Sequence, residues 1–165
     1  MDVLNYRKSA KSLRQTNREV LQADLADPVF LEQLRLMEEV LRRDGVGLAA
    51  PQVGWNIQLF LLCIDEQENA IPAKCFINPK IVATSKVRDK FQEGCLSFPG
   101  LYLDVIRPTS IVWTYQDLNW QTHQIESTGF YARAVQHETD HCQGRVFIDL
   151  ATSVQKLKVN RWLKS

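Results

Sequence analysis

Apolar and polar positions along the chain follow two periods, with prolines and glycines as punctuation. Asp27-Pro28 is a helix start, an N-cap carboxylate followed by proline at the first helical position. Phe30, Leu34, Met37 and Leu41 follow at spacings of four, three and four, and Gly45 ends the run. That spacing predicts an amphipathic helix with one buried stripe. Between residues 58 and 110 the apolar residues come in short runs separated by Pro72, Pro79, Pro99 and Pro108, which predicts several short strands. Ile111, Trp113 and Tyr115 alternate with polar neighbours, and Asp117-Leu118-Asn119 can turn the chain back toward Ile125, so a hairpin is expected. His123 lies on its return arm among polar residues and reads as a surface histidine. A second helix is predicted over residues 128–143, with Phe130, Ala134, His137, Glu138 and His141 gathered on its inward side and Gly144 closing it. It is expected to be the central helix of the fold. Residues 152–163 predict a last helix carrying Lys156, Lys158 and Arg161, and the final ten residues contain no acid.

Composition narrows the class. A chain of 165 residues, 45% apolar and 24% charged, has the size and balance of one globular domain with its own core. A net charge of +1 carries no general polyanion-binding signal. No stretch approaches the roughly 18 consecutive apolar residues of a membrane span, and residues 1–14 lack the apolar core of a secretory signal. A cytoplasmic location is expected. The four cysteines, at positions 63, 75, 95 and 142, do not suggest a disulfide scaffold in a chain of this size. Cys63, Cys75 and Cys142 read as small buried hydrophobes.

One of the predicted helices carries chemistry. His137 and His141, four apart, lie one above the other on a helix and can grip a single ion, while Glu138 between them can reach water at it. A catalytic site of this kind takes three protein ligands, so a third is needed. Extending the run toward the pattern with a further histidine fails, because Gly144 is in place but Phe147 stands where that histidine would be. No glutamate follows His141. Asp149 is available but has no pattern behind it. Cys95, between Gly94 and Leu96, is the better candidate and would make a Cys-His-His site.

Three motifs now stand in order: GVGLAAPQ at residues 45–52, EGCLS at residues 93–97 and QHETDH at residues 136–141. With them the chain resembles the peptide deformylase family over most of its length. The resemblance implies an α+β fold, antiparallel strands packed around a central metal-bearing helix, in a single catalytic domain over residues 1–165. It implies removal of the formyl group from N-formyl-methionyl peptides and nascent chains. The expected cofactor is one divalent ion, ferrous iron by the resemblance, although zinc, nickel or cobalt suits the same ligands. Glu138 would be the general base, and the Gln52 amide and the Leu96 backbone N–H would stabilise the oxyanion beside the metal. Val46, Gly47, Gly94, Phe130 and Ala134 are the expected substrate-binding positions, the glycines letting a bound peptide come close. Arg133 could line the pocket with its stem while its charge reaches solvent. Gln136 and Asp140 read equally as supports of the ligands or as exposed helix residues.

The basic last helix suggests contact with ribosomal RNA, and no membrane partner is expected. Residues 5–20 depart from the family's pattern, keeping Leu13-Arg14 but lacking any proline. Two other functions share part of this signature: a zinc endopeptidase, which leaves Cys95 and the first motif unexplained, and a silent relative that binds N-termini without turnover.

Overall fold

The computed structural model of the chain, which describes residues 1–65 and 67–165, has four α-helices and seven strands. The helices are α1 (Tyr6–Leu13), α2 (Pro28–Asp44), α3 (Gly129–Cys142) and α4 (Ser153–Lys164). The strands are β1 (Gly47–Ala49), β2 (Leu59–Ile64), β3 (Ala70–Thr84), β4 (Arg88–Gly94), β5 (Tyr102–Pro108), β6 (Ser110–Gln116) and β7 (Thr122–Thr128). They form a five-stranded sheet in the order β1-β2-β3-β6-β7 and a separate β4-β5 ribbon, antiparallel throughout. The architecture is the expected α+β arrangement around α3.

Local sequence accounts for most element ends. The Asp27 carboxylate accepts the Val29 N–H at 2.8 Å, α2 buries Phe30, Leu34, Met37 and Leu41, and the Gly45 N–H closes the helix on the Leu41 carbonyl. In the β6-β7 hairpin the Asp117 side chain accepts the N–H groups of Asn119 and Gln121, both at 2.9 Å. His123 on the return arm bonds Asp117 Oδ2 at 2.8 Å, at the surface as expected. Helix α4 begins in a reciprocal capping box between Thr152 and Gln155.

Two elements differ from the expected pattern. The prolines at 72 and 79 do not divide short strands, because both lie inside the 15-residue strand β3. Pairing of β3 with its neighbours shifts register opposite residues 70–74 and again between Ile77 and Lys80, and prolines are tolerated where the ladder is already broken. Asn78, at φ 49°, turns its amide onto the backbone of Val20, with bonds of 2.8 and 2.9 Å. The N-terminal helix α1, which the sequence pattern did not suggest, is capped by Asn5 and buries Tyr6 and Leu13.

Helix α3 lies between the sheet and the ribbon, and every residue from 131 to 139 is buried. Ala132 and Val135 join Phe60, Phe76 and Trp113 in the core on the sheet side. On the ribbon side Leu103 and Val105 pack with Phe98, Phe147 and Trp162. A two-stranded ribbon is marginal by itself, and α4 covers its outer edge. Gln155 donates to the Asp104 carbonyl at 2.8 Å and Lys158 to the Tyr102 carbonyl at 2.7 Å, occupying edge groups that would otherwise be free to pair with another chain. None of the four cysteines is in a disulfide; Cys75 and Cys142 are buried and Cys63 is half-buried. Among the described residues no helix is long and apolar enough to cross a membrane.

Candidate metal centre

The last residue of β4, Gly94, delivers Cys95 into a turn closed by the Phe98 N–H on the Cys95 carbonyl at 2.8 Å. There the sulfur meets α3. Cys95 Sγ lies 3.3 Å from His141 Nε2, and the ligand atoms of Cys95, His137 and His141 all lie within 4.8 Å of one another. The two imidazoles, one turn apart, have ring centroids 5.1 Å apart. Asp149 is elsewhere, bonded to the Arg14 guanidinium at 2.7 and 3.0 Å. Phe147, at the position where a further histidine was sought, packs its ring 5.9 Å from that of His137.

One thiol and two imidazoles converging in this way suit a divalent transition ion, which takes thiolate and neutral imidazole together. Two further observations fit such an ion. His137 Nδ1 donates to Glu93 Oε2 at 3.0 Å, which orients the ring; burial pushes this imidazole down, but its contacts with Cys95 and Glu93 hold it well above its ordinary range in the metal-free chain, so Nε2 gives up its proton to bind an ion. Glu138 Oε2 is buried without a hydrogen-bond partner among the described residues, an arrangement that costs free energy unless something else engages it.

Glu93 is the centre of a buried ion cluster. Its Oε1 accepts from Arg107 Nε and Arg133 Nη1, both at 2.7 Å, and its Oε2 from Arg107 Nη2 at 3.1 Å as well as from His137. Burial by itself pushes this carboxyl up, but the hydrogen bonds from His137 and Arg107 and their charges overcome it and hold Glu93 well below the usual carboxylate range. The third Arg107 nitrogen donates to Asp140 Oδ2 at 2.8 Å. Asp140, one turn beyond His137 on α3, therefore supports the site through Arg107. Gln136 spans from the helix to the Pro108 carbonyl at 3.1 Å and is likewise buried.

Arg133 lines the cavity as expected, but its charge does not reach solvent. It is 4% exposed, its charge is spent on Glu93 and Asp89 rather than on solvent, and the Phe91 ring lies 5.5 Å from its guanidinium carbon. A charged head in this interior needs paired acceptors, and the chain supplies them.

Glu138 carries a different burden. Burial pushes its carboxyl up to about 7, against the charges of His137 and Arg107, so it can exchange a proton near neutrality. The Gln52 side chain is oriented by its own loop: Oε1 accepts the Ala49 N–H at 2.9 Å, so Nε2 must be the end facing Cys95 Sγ at 3.4 Å and Ser97 Oγ at 3.3 Å. In the turn after Gly94 the closing bond uses the Phe98 N–H rather than that of Leu96.

Beside these groups is a cavity of about 420 Å³, whose wall includes Gln52, Cys95, His137 and Glu138. Val46, Leu96, Tyr102, Phe130 and Ala134 supply its apolar side, with Gly47 and Gly94 also on its wall. The two glycines have a packing reason beyond any peptide. A Cβ on Gly47 would meet Glu138 Oε1 at 2.5 Å, and one on Gly94 would meet the Tyr102 ring at 2.7 Å.

Sequence reasoning passed over Glu93, Arg107 and Ser97 as working parts. Glu93 does head the second motif, but only its contacts reveal a buried anion; Arg107 is inconspicuous in the alternation of β5.

The sequence model of the polypeptide deformylase family matches residues 2–157. A peptide deformylase of Synechococcus sp. (strain CC9605) is 42% identical over 132 residues, which cover 77% of this chain and 66% of that protein. Peptide deformylase 2 of Prochlorococcus marinus (strain MIT 9313) is 38% identical over 152 residues, covering 89% and 72%. The chain thus spans about two thirds of the length of the curated relatives it matches. Among solved structures, a Plasmodium falciparum peptide deformylase in complex with inhibitor superposes with a TM-score of 0.85 at 34% identity, covering 99% of this chain and 97% of that one. The peptide deformylase of Synechococcus elongatus in complex with actinonin gives 0.86 at 36% identity, covering 99% and 86%.

The Glu93 cluster predicts how the metal-free chain responds to acid. A carboxyl held low in the folded state binds fewer protons than the unfolded chain between its depressed value and about 4.3. Its stabilisation is complete above that window and is lost as pH falls through it. Urea midpoints measured from pH 6 to pH 2 should therefore fall steeply below about pH 4.3, and Glu93→Gln should be less stable at pH 7 with a flatter acid limb.

Proposed function

The chain belongs to the polypeptide deformylase family, and from that premise we propose that residues 1–165 act as one catalytic domain, a metal-dependent hydrolase that removes the formyl group from N-formyl-methionyl peptides and nascent chains. The observation that carries this reading is the convergence of Cys95, His137 and His141 next to a buried Glu138 on the wall of a largely apolar cavity. The ion held by those three side chains would be ferrous iron by the family resemblance, with zinc, nickel or cobalt as substitutes of the same chemistry. When bound, it supplies Lewis acidity to a carbonyl oxygen and to water at the site.

The chain's own residues do the rest. Glu138, buried on the cavity wall beside the three candidate ligands, takes a proton from the attacking water as its oxygen adds to the formyl carbon. The Gln52 Nε2 amide, aimed by its bond to Ala49, and the Leu96 N–H donate to the oxyanion that develops on the former formyl oxygen. Glu138 then passes its proton to the departing amine nitrogen, the C–N bond breaks, and formate and a free N-terminus leave. The 420 Å³ cavity accepts a flexible thioether chain against Val46, Phe130 and Ala134. Gly47 keeps the space in which the Glu138 carboxylate sits.

The proposed setting is the cytoplasm. The basic face of α4 is the proposed ribosome contact, through counterion release at phosphates. Lys156, Arg161 and Lys164 are exposed on it, whereas Lys158 is engaged with the ribbon.

Formate release from formyl-Met-Ala-Ser by protein prepared anaerobically with ferrous iron tests the activity, with the acetylated peptide as control. Release from the formyl peptide alone is expected; internal cleavage would indicate an endopeptidase, and no release at full metal occupancy a silent binder. Glu138→Ala should lower turnover by a factor on the order of 10²–10⁴ with metal content retained. Gly47→Ala, which displaces that carboxylate, should lower kcat by roughly 10²-fold with the ligands intact. Reversing the charge of Lys156, Arg161 and Lys164 should abolish salt-sensitive co-sedimentation with ribosomes; unchanged co-sedimentation removes the contact.

A further inference from the structure

Cys95 reaches the metal centre on the ribbon, while His137 and His141 reach it on α3, and among the described residues the ribbon is a separate two-stranded sheet, tied to the large sheet at the end away from Cys95 through residues 85–87 and 109. Something must set the ribbon's position against the helix. Arg133 stands one turn before His137 on α3, and its guanidinium engages both strands of the ribbon. Nη1 donates to the Val105 carbonyl of β5 at 3.0 Å and to Glu93 Oε1 of β4 at 2.7 Å. Nη2 donates to the Asp89 carbonyl of β4 at 3.2 Å and to the Asp89 carboxylate. Glu93, two residues before Cys95, is thus held by two residues of one helix: Arg133 on one oxygen and the ligand His137 on the other. Arg107 also grips Glu93, but from within the ribbon and at the far end of the helix through Asp140. Among these groups Arg133 binds the backbone of both ribbon strands from the helix that carries the histidines. The planar fork suits this task because its donors are fixed relative to one another, as a lysine's are not.

We propose that Arg133 is a positioning residue that seats the Cys95-bearing ribbon against the histidine-bearing helix, and thereby sets how tightly the thiolate arm of the centre holds a metal ion. The proposal rests on the reading of Cys95, His137 and His141 as metal ligands.

The cobalt-loaded chain of residues 1–165 tests both and separates them. Cobalt bound by a thiolate shows a sulfur-to-metal charge-transfer absorption, and its decay on adding excess chelator reports how fast the ion is released. The expected outcome is a clear band in the unmodified chain and release about tenfold faster from Arg133→Met, the scale on which removing supports of ligands acts. Arg133→Lys should fall between the two. Asp89→Ala, at a half-exposed residue and so little risk to folding, should accelerate release about twofold to threefold by the same logic. Circular dichroism establishes that each variant is folded, and Leu34→Ala, a core change in α2, lowers the thermal midpoint without accelerating release. Arg133→Lys and Asp89→Ala carry the test if Arg133→Met does not fold. Wild-type release rates and an unchanged band in the folded Arg133 and Asp89 variants would overturn the proposal, as would equal acceleration by Leu34→Ala. A missing thiolate band in the unmodified chain would remove the metal-centre reading itself, and the proposal with it.

Discussion

A carboxylate taken out of water costs several kcal/mol unless opposing charge and hydrogen bonds replace its solvent, and the region around the centre is arranged to meet that demand at Glu93. Two guanidinium groups and an imidazole supply four contacts to its two oxygens, two of them from Arg107 and one each from Arg133 and His137. Those partners come from β5 and from α3. Satisfying the charge therefore docks the ribbon on the helix, orients the His137 ring and brings Cys95 to the histidines in one arrangement. Asp140 and Asp89 neutralise what remains of the two arginines.

Space is the second constraint, and it follows from the first. With α3 buried over residues 131–139, Glu138 has little freedom, and its carboxylate occupies the volume that a side chain on residue 47 would need. The first strand of the sheet must therefore pass the helix as glycine at this point. The unpaired oxygen and the desolvation that raises Glu138 toward neutrality have the same origin. The rise of the Glu138 carboxyl is thus a product of packing.

The chain ends brace this arrangement from outside. The Leu4 N–H donates to the Gln52 carbonyl at 2.7 Å and the Tyr6 N–H to the Ser97 carbonyl at 2.9 Å, so the segment leading into α1 joins the two loops that carry Gln52 and Cys95. Tyr6 stacks on Phe98 with centroids 4.6 Å apart, and Trp162 of α4 covers the other contacts of Phe98 while donating to the Pro99 carbonyl at 2.9 Å. Arg7 ties α1 to α4, its guanidinium carbon 4.1 Å from the Trp162 ring centre. At the C-terminal end of the histidine-bearing helix, Asn17 donates to the His141 and Cys142 carbonyls at 3.2 and 3.0 Å, satisfying groups that a helix terminus leaves open.

Whatever depends on residues near one another in the chain could be read in advance. The α2 and α4 boundaries, the hairpin turn at Asp117 and the pairing of two histidines on one helix face follow from caps, periodicity and spacing, which are local physics. Cys95 could be nominated only by elimination and by motif, because 42 residues separate it from His137. The long strand through Pro72 and Pro79 was not legible, since a proline is admitted or refused according to the partner strand's register. The burial of Arg133 and Glu93 was not legible either. Their partners lie 40 residues apart in sequence, and a charge is legitimate in the interior only when its counter-charges arrive by folding. The amino-acid sequence by itself determined the helices, the turns and the identity of the chemical groups; the tertiary structure alone decided which of those groups would be desolvated together, because desolvation is a property of the packed interior.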